Sequence, residues 1–392
     1  MSYLPNDPPG YGRTWAQPTP AVVPPLQRSL VGGRGGAAGE PPGVLPVAAP
    51  PSPATSVPAG DDRTAVLVTG SGGPAGVAVI RRLVALGHRV VGVDSDWAAA
   101  GGALAHVGLT VPRAGHPRFL DALLGVAAAH RVNALISTVV EELPTLTGGV
   151  ARLTDAGVAT WFPSLESVDL CCDKAAFARR LAEAGVPHPA TTSEAGLAAA
   201  VPGPWIVKPR SGRGSRGVRA LDTEREVVAA LAADGDVIAQ SRLTGREFTA
   251  DALVSRAGEL LTVVPRWREE TKAGISVKGT TFESETVTAV VADALDAVGL
   301  TGPANVQGFV GADGAVTVVE INPRFSGGLP LTLAAGADVV GTYLAGILHP
   351  WEELPLLWFT PGVRMSRYFA ETYDRTDGEP VADPCAPVAV TA

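Results

Sequence analysis

The residues best suited to chemistry lie in a predicted β-hairpin near residue 310 and combine two amides with one carboxylate. Asp313-Gly314 stands between two strands of alternating apolar character, and this dipeptide is typical of a two-residue type I′ turn. Such a turn pairs Gln307 with Glu320, and the period of two along a strand puts Asn322 on the same face. Amide and carboxylate oxygens are ligands of Mg²⁺, which proteins usually bind together with substrate phosphates. These three residues are therefore candidate metal ligands.

The two strands of this hairpin are predicted over 305–310 and 316–322. We expect the opposite face to be buried because its residues are apolar. The residues of that face are Val306, Val319 and Ile321. The alternative reading is a hairpin whose polar face is only solvated. Arg324, directly after the second strand, puts a cation beside the polar face and favours a site.

A second group of candidates is a lysine at the end of a strand, followed by a basic, glycine-rich loop. Lys208 closes a strand predicted over 205–208, and residues 209–217 contain three glycines and three arginines. Glycines let backbone N–H groups approach an anion, and the arginines add positive charge. The loop predicts a phosphate cradle, and the alternative is an exposed basic hairpin tip.

A third motif is an earlier glycine loop that fits the pattern G-x-G-x-x-A. It contains Gly70, Gly72 and Ala75, and Asp94 ends the next predicted strand about 20 residues later. This layout is that of a dinucleotide fingerprint. The alternative is that the glycines only allow a tight strand-to-helix turn or serve the substrate. The phosphate-loop signature G-x-x-x-x-G-K-[ST] is absent here.

Candidate substrate residues lie in two further places. A basic stretch is expected to form a loop over residues 272–279 that holds a carboxylate, and the alternative is a loop that is only solvated. A Ser-Gly-Gly run after Arg324 is a candidate for binding the second substrate through backbone amides. The candidate substrate residues are Arg266, Arg268, Lys272, Ser276, Lys278, Ser326 and Gly327.

The elements that must position these residues divide the chain into four predicted parts. Residues 1–61 are rich in Pro and Gly and read as a disordered tail. A β-loop-α-β pattern predicts an open α/β domain with a parallel sheet over 62–165. Mixed helices and antiparallel hairpins predict an α+β domain over 166–350. A C-terminal strand and tail are predicted over 351–392.

Composition excludes several classes of protein. The chain has 392 residues, 46% of them hydrophobic, and a net charge of −8, which argues against a nucleic-acid-coating protein. Three cysteines are too few for a disulfide framework or a four-cysteine zinc site. The sequence has no apolar run of membrane-spanning length and no signal-peptide pattern. We therefore expect a cytoplasmic protein with neither nucleic acid nor membrane as a partner.

Together, these motifs resemble the ATP-grasp superfamily. The resemblance rests on Cys-Asp-Lys174-x-x-Phe, the Lys208 loop, residues 240–247, Gln307 and the run Glu320-Ile-Asn-Pro-Arg324. Within this superfamily the chain resembles the ATP-grasp units of the carbamoyl-phosphate synthetase large subunit and related amino-acid ligases. The resemblance covers residues 64–350 and implies a Rossmann-like domain that precedes a two-lobed ATP-grasp domain.

Residue by residue, the resemblance implies a site for ATP and Mg²⁺, with Mn²⁺ as a substitute metal. The positions that match nucleotide-binding residues are Lys174, Lys208, Ser211, Gly212, Gly214, Ser215, Gly217, Gln240, Ser241, Leu243 and Glu247. Lys174 and Lys208 match phosphate-contacting lysines, and 211–217 matches a mobile loop over the triphosphate. Residues 240–243 match the adenine-binding stretch, and Glu247 matches the ribose carboxylate.

The resemblance also supplies roles at the reaction centre. Gln307, Glu320 and Asn322 match magnesium ligands. Arg324 matches the arginine that stabilises the transferred phosphoryl group, and together with Lys208 it is expected to be catalytic. Ile275 stands where some relatives have an acidic residue, so their substrate does not carry over.

The implied function is an ATP-dependent carboxylate–amine ligase that forms a C–N bond through an acylphosphate and releases ADP and phosphate. Its expected partners are a small carboxylic or amino acid and an amine, and a homodimer is compatible with the sequence. One alternative is an NAD(P)-dependent oxidoreductase that uses the fingerprint at 70–94. The other is a catalytically silent ATP-binding partner protein.

Overall fold

The computed structural model describes residues 64–212, 217–272, 274–373 and 381. The tail predicted over 1–61 lies outside the described residues, and so do Gly214 and Ser215 of the predicted phosphate loop. Of the predicted C-terminal tail, residues 374–380 and 382–392 also lie outside them. Within the described parts of the chain, no helix combines the length and apolarity needed to cross a bilayer.

The described chain begins with a four-stranded parallel sheet of order β3-β2-β1-β4. Its strands are β1 (Ala65–Thr69), β2 (Arg89–Asp94), β3 (Val107–Thr110) and β4 (Ala134–Ile136). Its helices are α1 (Pro74–Ala85), α2 (Ala100–Leu104), α3 (Phe119–His130), α4 (Leu143–Gly148) and α5 (Val150–Asp155), with a 3₁₀ helix at Val140–Glu142. Every residue of β1 is buried, which is typical of a parallel strand covered on both faces. Pro74 opens α1, where its missing N–H costs no hydrogen bond.

A second, antiparallel sheet of order β5-β8-β6-β7 follows two helices. The helices are α6 (Leu165–Cys172) and α7 (Lys174–Glu183), and the strands are β5 (Thr191–Thr192), β6 (Trp205–Pro209), β7 (Arg219–Leu221) and β8 (Val237–Ser241). A 3₁₀ helix (Ala195–Ala200) and α8 (Glu224–Ala233) pack on this sheet around Val207 and Val227. Asp173 caps α7 by accepting hydrogen bonds from the N–H groups of Ala175 and Ala176.

The third sheet is antiparallel, has six strands and runs in the order β13-β12-β9-β10-β11-β14. Its strands are β9 (Arg246–Val254), β10 (Leu260–Lys272), β11 (Ile275–Thr281), β12 (Gly302–Val310), β13 (Val316–Asn322) and β14 (Arg364–Ser366). Its helices are α9 (Glu285–Ala297), α10 (Leu329–Ala334) and α11 (Val339–Leu348). The side chains of α9 and those of one face of β12 and β13 form a shared apolar core.

One apolar cluster joins the first sheet to the third. Val79 and Leu83 of α1 are fully buried in the same cluster as Leu253 of β9 and Leu344 of α11. Arg82 of α1 also forms a hydrogen-bonded ion pair with Asp338, the N-cap of α11, at 2.8 Å. Helix α1 of the first sheet is therefore packed against α11 and the third sheet.

Candidate functional site

The predicted polar face of the β12–β13 hairpin exists. Gln307 pairs with Glu320, and Asn322 pairs with Asn305, on adjacent antiparallel strands. The Nδ2 of Asn322 donates a hydrogen bond to Oε1 of Glu320 at 2.9 Å. The structure therefore brings together the amide and carboxylate groups predicted as metal ligands.

The prediction of a two-residue type I′ turn at Asp313-Gly314 is wrong. Gly311 N–H donates to Ala315 O at 2.8 Å, so residues 312–314 form a three-residue loop, and Gly314 has φ of +82°. A type I′ turn needs a positive φ at both central residues, and Asp313 does not have one. The longer loop shifts the register of the two strands by one residue. A β-bulge then restores the predicted register: Glu320 and Val318 each have a partner on β12, but Val319 between them has none.

The bulge also corrects the predicted buried face. Val318 and Ile321 are the core-facing residues of β13, at 0% and 2% exposure, whereas Val319 is half-buried. Val306 of β12 is fully buried, as predicted. Val318 and Val319 are both apolar, so the sequence pattern gives no sign of which of the two faces the core.

Lys208 is a buried cation close to this face. It lies in β6 and is 8% exposed. Burial lowers the pKa of its ammonium to about 8, Glu320 acts in the opposite direction, and Lys174 lowers it further. Among the described residues, no carboxylate forms an ion pair with Lys208. A buried ammonium without a paired anion is suited to an anionic ligand.

Lys174 and the start of the glycine-rich loop are joined by backbone contacts. The Nζ of Lys174 donates to Gly212 O at 2.9 Å, and its N–H donates to Arg210 O at 3.1 Å. Arg210 makes a bidentate ion pair with Asp173 at 2.7 and 2.5 Å, and this contact lowers the pKa of Asp173. Lys174, Ser211 and Gly212 therefore meet at one end of β6. Gly217, the last residue of the predicted loop, has φ of +72°, which favours glycine.

The predicted adenine stretch follows β8. Gln240 is 4% exposed and donates through Nε2 to Thr191 Oγ1 at 2.8 Å, so its side chain is bound inside the second sheet. Ser241 Oγ donates to Pro202 O at 2.7 Å, and Leu243 is half-buried in the connection to β9. This leaves backbone groups of the stretch, rather than the Gln240 or Ser241 side chains, as the groups best placed to meet a ligand.

Arg268 links the predicted ribose and metal residues. Its Nη1 donates to Glu247 Oε1 at 2.5 Å and to Gln307 Oε1 at 3.1 Å, while its Nη2 donates to Gly274 O at 3.1 Å. The Arg268 side chain is only 11% exposed. Arg268 was predicted to bind substrate, but in this structure it organises the carboxylate and the amide of the site.

Arg324 is held at the end of the polar face. Its Nη2 donates to Asn322 Oδ1 at 3.2 Å, and its Nη1 donates to Phe325 O at 3.0 Å. The oxygens of Asn322 and Gln307 therefore each accept a hydrogen bond from an arginine. A carbonyl oxygen has two lone pairs, so one remains on each amide for a metal.

Arg266 does not lie where a substrate residue should. It is 2% exposed and forms an ion pair with Asp251 at 2.8 Å. It also donates to Ser326 Oγ at 2.9 Å and to Thr332 Oγ1 at 3.3 Å. Burial alone would raise the pKa of Asp251, but the charge and hydrogen bonds of Arg266 hold it below its usual value.

The Ser-Gly-Gly run is clamped onto this buried ion pair. Ser326 is 2% exposed, and its Oγ donates to Asp251 Oδ2 at 3.0 Å, so its side chain is not free to bind substrate. Arg367 donates to Gly327 O and, at 3.0 Å, to Ser276 O. The sequence analysis missed the ion pair between Arg266 and Asp251, which forms across the neighbouring strands β9 and β10. It also missed the role of Arg367, whose partners are 40 and 91 residues away.

The basic stretch expected as a loop is a β-hairpin. Lys272 is the last residue of β10 and pairs with Ile275 of β11. Lys278 lies in β11 and forms an exposed ion pair with Glu270 at 2.8 Å. Ser276 is buried, and its Oγ donates to Lys278 O at 3.0 Å. Four of the seven residues from Ile275 to Thr281 are β-branched, which favours a strand and explains why this stretch extends the sheet.

The earlier glycine loop borders the same region. Gly72 N–H donates to Asp94 Oδ2 at 2.8 Å, so the carboxylate expected to bind a ribose is hydrogen-bonded to the loop itself. A Cβ atom on Gly327 would lie 3.3 Å from Pro74 Cγ, which shows how closely the loop approaches the Ser-Gly-Gly run.

The oxygen atoms of Gln307, Glu320 and Asn322 are of the types that bind magnesium. In the described ranges, no group of three or more His, Cys, Asp or Glu residues could hold a metal ion. The candidate set instead has one carboxylate, from Glu320, and amide oxygens from Gln307 and Asn322. Mg²⁺ is usually bound by one or two carboxylates with substrate phosphates supplying further oxygens, so such a set is sufficient only with a phosphate ligand.

Comparison with known proteins gives one family and several similar structures. Residues 171–328 match the model of the ATP-grasp domain family. The uncharacterized protein y4rH of Sinorhizobium fredii (strain NBRC 101917 / NGR234) is 29% identical over 205 residues, which are 46% of this chain and 43% of that protein. The match therefore spans less than half of the curated relative's length.

Solved structures share the fold at low identity. Biotin carboxylase of Campylobacter jejuni, in complex with β-γ-ATP, has a TM-score of 0.61 at 16% identity, over 75% of this chain and 73% of that one. The L-amino acid ligase of Bacillus licheniformis has a TM-score of 0.58 at 16% identity, over 73% and 74%. N5-carboxyaminoimidazole synthetase of Staphylococcus aureus, complexed with ADP, has a TM-score of 0.60 at 16% identity, over 76% and 80%.

The family match begins before Lys174 and ends after Arg324, so it includes both lysines, the hairpin and the arginine on which the resemblance rests. The similar structures contain the same fold across about three quarters of the chain. The chain therefore carries an ATP-grasp domain over residues 171–328, as the resemblance in its sequence predicted.

Proposed function

We propose that this protein is an ATP-dependent carboxylate–amine ligase that forms a C–N bond through an acylphosphate. The observation that carries the proposal is the buried, unpaired ammonium of Lys208 beside the Glu320 face of the hairpin. A cation and a metal-binding face that lie next to each other suit a nucleotide triphosphate, whose charge needs neutralisation from both sides.

Each part of a bound nucleotide has a proposed partner. Lys174, Lys208 and the loop at 211–217 are the proposed phosphate-binding groups, and residues 240–243 with Glu247 are proposed to hold adenosine. Gln307, Glu320 and Asn322 are the residues proposed to hold Mg²⁺ or Mn²⁺. The metal, when bound, supplies neutralisation of phosphate charge and orientation of the phosphate oxygens.

The proposed chemistry needs no nucleophile from the protein. A substrate carboxylate oxygen forms a bond to the γ-phosphorus while the bridging β–γ bond breaks and ADP leaves. An amine then attacks the acyl carbon, phosphate leaves and the amine loses one proton. Lys208 and Arg324 stabilise negative charge on the transferred phosphoryl group, and alignment supplies much of the rate.

Similar proteins support the substrate class. An L-amino acid ligase is among the structures that share the fold, which supports an amino acid as one substrate. The substrates proposed are therefore a small carboxylic or amino acid and an amine. We also propose that the protein is cytoplasmic and forms a homodimer. The proposed domains are a Rossmann-like domain over residues 62–165 and an ATP-grasp domain over residues 166–350.

The oxidoreductase alternative is disfavoured by a specific contact. Asp94 accepts hydrogen bonds from Gly72 N–H and Asp96 N–H, so its carboxylate is engaged by the backbone around it. A catalytically silent ATP-binding protein would keep Lys208 and Glu320 without a need for Arg324.

The proposal is tested by release of ADP and phosphate with ATP, Mg²⁺ and a panel of the twenty L-amino acids and small acids, singly and in pairs. We expect ADP and phosphate in equal amounts only with an acid and an amine together. Lys208→Met should lower turnover about 100-fold or more, and Lys278→Met should lower it less. Turnover of NADH without ATP dependence, or wild-type kinetics in Lys208→Met, would contradict the proposal.

A further inference from the structure

A buried carboxyl group outside the ATP-grasp domain is unexplained by the proposed roles above. Glu142 ends the 3₁₀ helix at Val140–Glu142 and is 7% exposed. Thr69, at the end of β1, and Ser137, after β4, both donate their hydroxyl hydrogens to its Oε2, the second at 2.7 Å. No described residue donates a hydrogen bond to Oε1. One oxygen is therefore anchored, and the other is left for a ligand.

The surroundings of Glu142 disfavour a buried negative charge. Within the part of the chain that the structure describes, no lysine, arginine or histidine forms an ion pair with it. The charged groups that act on it are Asp94, at the end of β2, and Glu141, its neighbour, and both are acidic. A glutamine would accept the same two hydroxyl hydrogen bonds without the cost of a buried charge. A carboxyl group retained in such surroundings is typical of a functional residue.

The position of Glu142 is the usual position of a ligand site in this class of sheet. β1 and β4 are parallel neighbours, so Thr69 and Ser137 meet at their carboxyl edge, where open α/β sheets bind ligands. Thr138 Oγ1 donates to Thr69 O at 2.8 Å and joins this edge to the glycine loop that approaches Gly327.

The 3₁₀ helix that carries Glu142 runs directly into α4, α4 packs against α6, and α6 ends just before Lys174. Burial raises the pKa of Cys172, Glu141 and Asp169 raise it further, and Lys174 lowers it, so Glu141 and Lys174 act on the same thiol. The 3₁₀ helix that carries Glu142 is therefore close to the start of α7, where the predicted phosphate-contacting lysine lies.

We propose that Glu142 is the proton acceptor for the amine substrate. This inference rests on the proposed ligase function. In the step assigned to it, the ammonium nitrogen gives one proton to the Glu142 carboxylate. The free electron pair on nitrogen then forms the C–N bond as the C–O bond to phosphate breaks. The nitrogen then loses a second proton with the departing phosphate and keeps its last hydrogen as the amide N–H, and Glu142 releases its proton to solvent.

The protonation behaviour of Glu142 supports this role. Burial raises its pKa to about 7, the hydroxyls of Thr69 and Ser137 lower it, and Asp94 and Glu141 raise it. A base is most effective when its pKa is near the working pH, because it is then both deprotonated and strong enough to take the proton.

The test compares two nucleophiles in Glu142→Gln. The acid that releases most ADP in the panel is supplied with ATP and Mg²⁺, and the acyl group is captured by hydroxylamine or by an L-amino acid. Hydroxylamine is uncharged at neutral pH and needs no base. We expect hydroxamate formation within about threefold of wild type but amide formation about 100-fold slower at pH 7.5.

The pH dependence separates a base from a structural role. Wild-type amide formation should rise with pH through about 7 as Glu142 loses its proton. In Glu142→Gln it should rise only at higher pH, as the amine loses its own proton, so the deficit should shrink about tenfold or more by pH 9.5. Titration of Lys208 affects both proteins and cancels in their ratio.

Controls and contrary outcomes are distinct. Glu141→Gln removes the exposed neighbouring carboxylate and should leave both products near wild-type rates. Equal loss of hydroxamate and amide in Glu142→Gln, or amide formation at the wild-type rate, would overturn the inference and leave the ligase proposal standing. Absence of hydroxamate with the wild-type protein would instead contradict the proposed function. Glu142→Asp, which keeps the carboxylate, should recover part of the amide rate.

Discussion

Gln307 lies directly opposite Glu320 because a one-residue bulge at Val319 cancels a one-residue extension of the hairpin loop. Without the bulge, the register near the turn would continue and place Glu320 opposite Val306, which is fully buried. The carboxylate would then face the apolar core. The bulge is therefore the feature that turns Glu320 toward Gln307, Lys208 and the proposed metal.

If Gln307 and Glu320 hold one metal, their substitutions should not be additive. Glu320→Gln should lower ATP turnover about 100-fold or more at every Mg²⁺ concentration, because it removes the carboxylate of the donor set. Gln307→Ala should be partly rescued by millimolar Mg²⁺ or Mn²⁺, and Asn322→Ala should raise the metal requirement. A metal titration of the single variants and of the double variant should give a coupling of about 1 kcal/mol or more. Asp313→Asn in the loop is the control, and full activity in Glu320→Gln would refute the site.

In the protein without ligand, the buried charge of Lys208 should lower the free energy of unfolding. Its pKa of about 8 lies below the ordinary 10.5, so the unfolded chain binds more protons between these values. The penalty, about 3 kcal/mol at most, is fully present below pH 8 and is lost as pH rises toward 10.5. Lys208→Met should therefore raise the free energy of unfolding by about 1–3 kcal/mol at pH 7, with the gain fading above pH 8. Urea denaturation at several pH values measures this, and a variant less stable than wild type at pH 7 would contradict it.

Arg268 should affect ATP binding although it was predicted as a substrate residue. Arg268→Ala removes the contacts to Glu247 and Gln307, and we expect KM for ATP to rise about tenfold or more. Arg268→Lys should recover little, because an ammonium cannot reproduce the two separate directions of the guanidinium N–H groups. Initial rates across an ATP titration measure the effect. Arg152→Ala, which removes an exposed ion pair with Asp121, is the matched control. An unchanged KM for ATP would remove Arg268 from the site.

Gly328 should tolerate no side chain. A Cβ atom there would lie 2.5 Å from Nε and Nη2 of Arg266, whose side chain is enclosed by Asp251, Ser326 and Thr332. Gly328→Ala should lower the free energy of unfolding by about 1–3 kcal/mol, because the buried ion pair must shift. Gly125→Ala, on an open face of α3, should instead raise it by about 0.5–1 kcal/mol. Thermal unfolding of both variants checks this, and equal melting temperatures would contradict it.

Local pattern in the sequence predicted most elements around the site and the polar face of the hairpin, but not the length of its loop or the hairpin at 272–279. The position of Lys208 at a strand end and the polar face with Glu320 and Asn322 depend on periodicity and on short-range spacing. These interactions join residues close in sequence, so their geometry follows from the period of a strand.

The tertiary structure decided which of the candidate side chains are free to meet a ligand. Arg266 is paired with Asp251, 15 residues away, and Asp251 in turn accepts a hydrogen bond from a residue 81 positions away. The two hydroxyls that donate to Glu142 come from the ends of two different strands. A basic or acidic residue type states its charge but not whether a distant partner already uses it. The burial of Lys208, the enclosure of Arg266 and the free oxygen of Glu142 therefore depend on contacts that form only when the sheets pack.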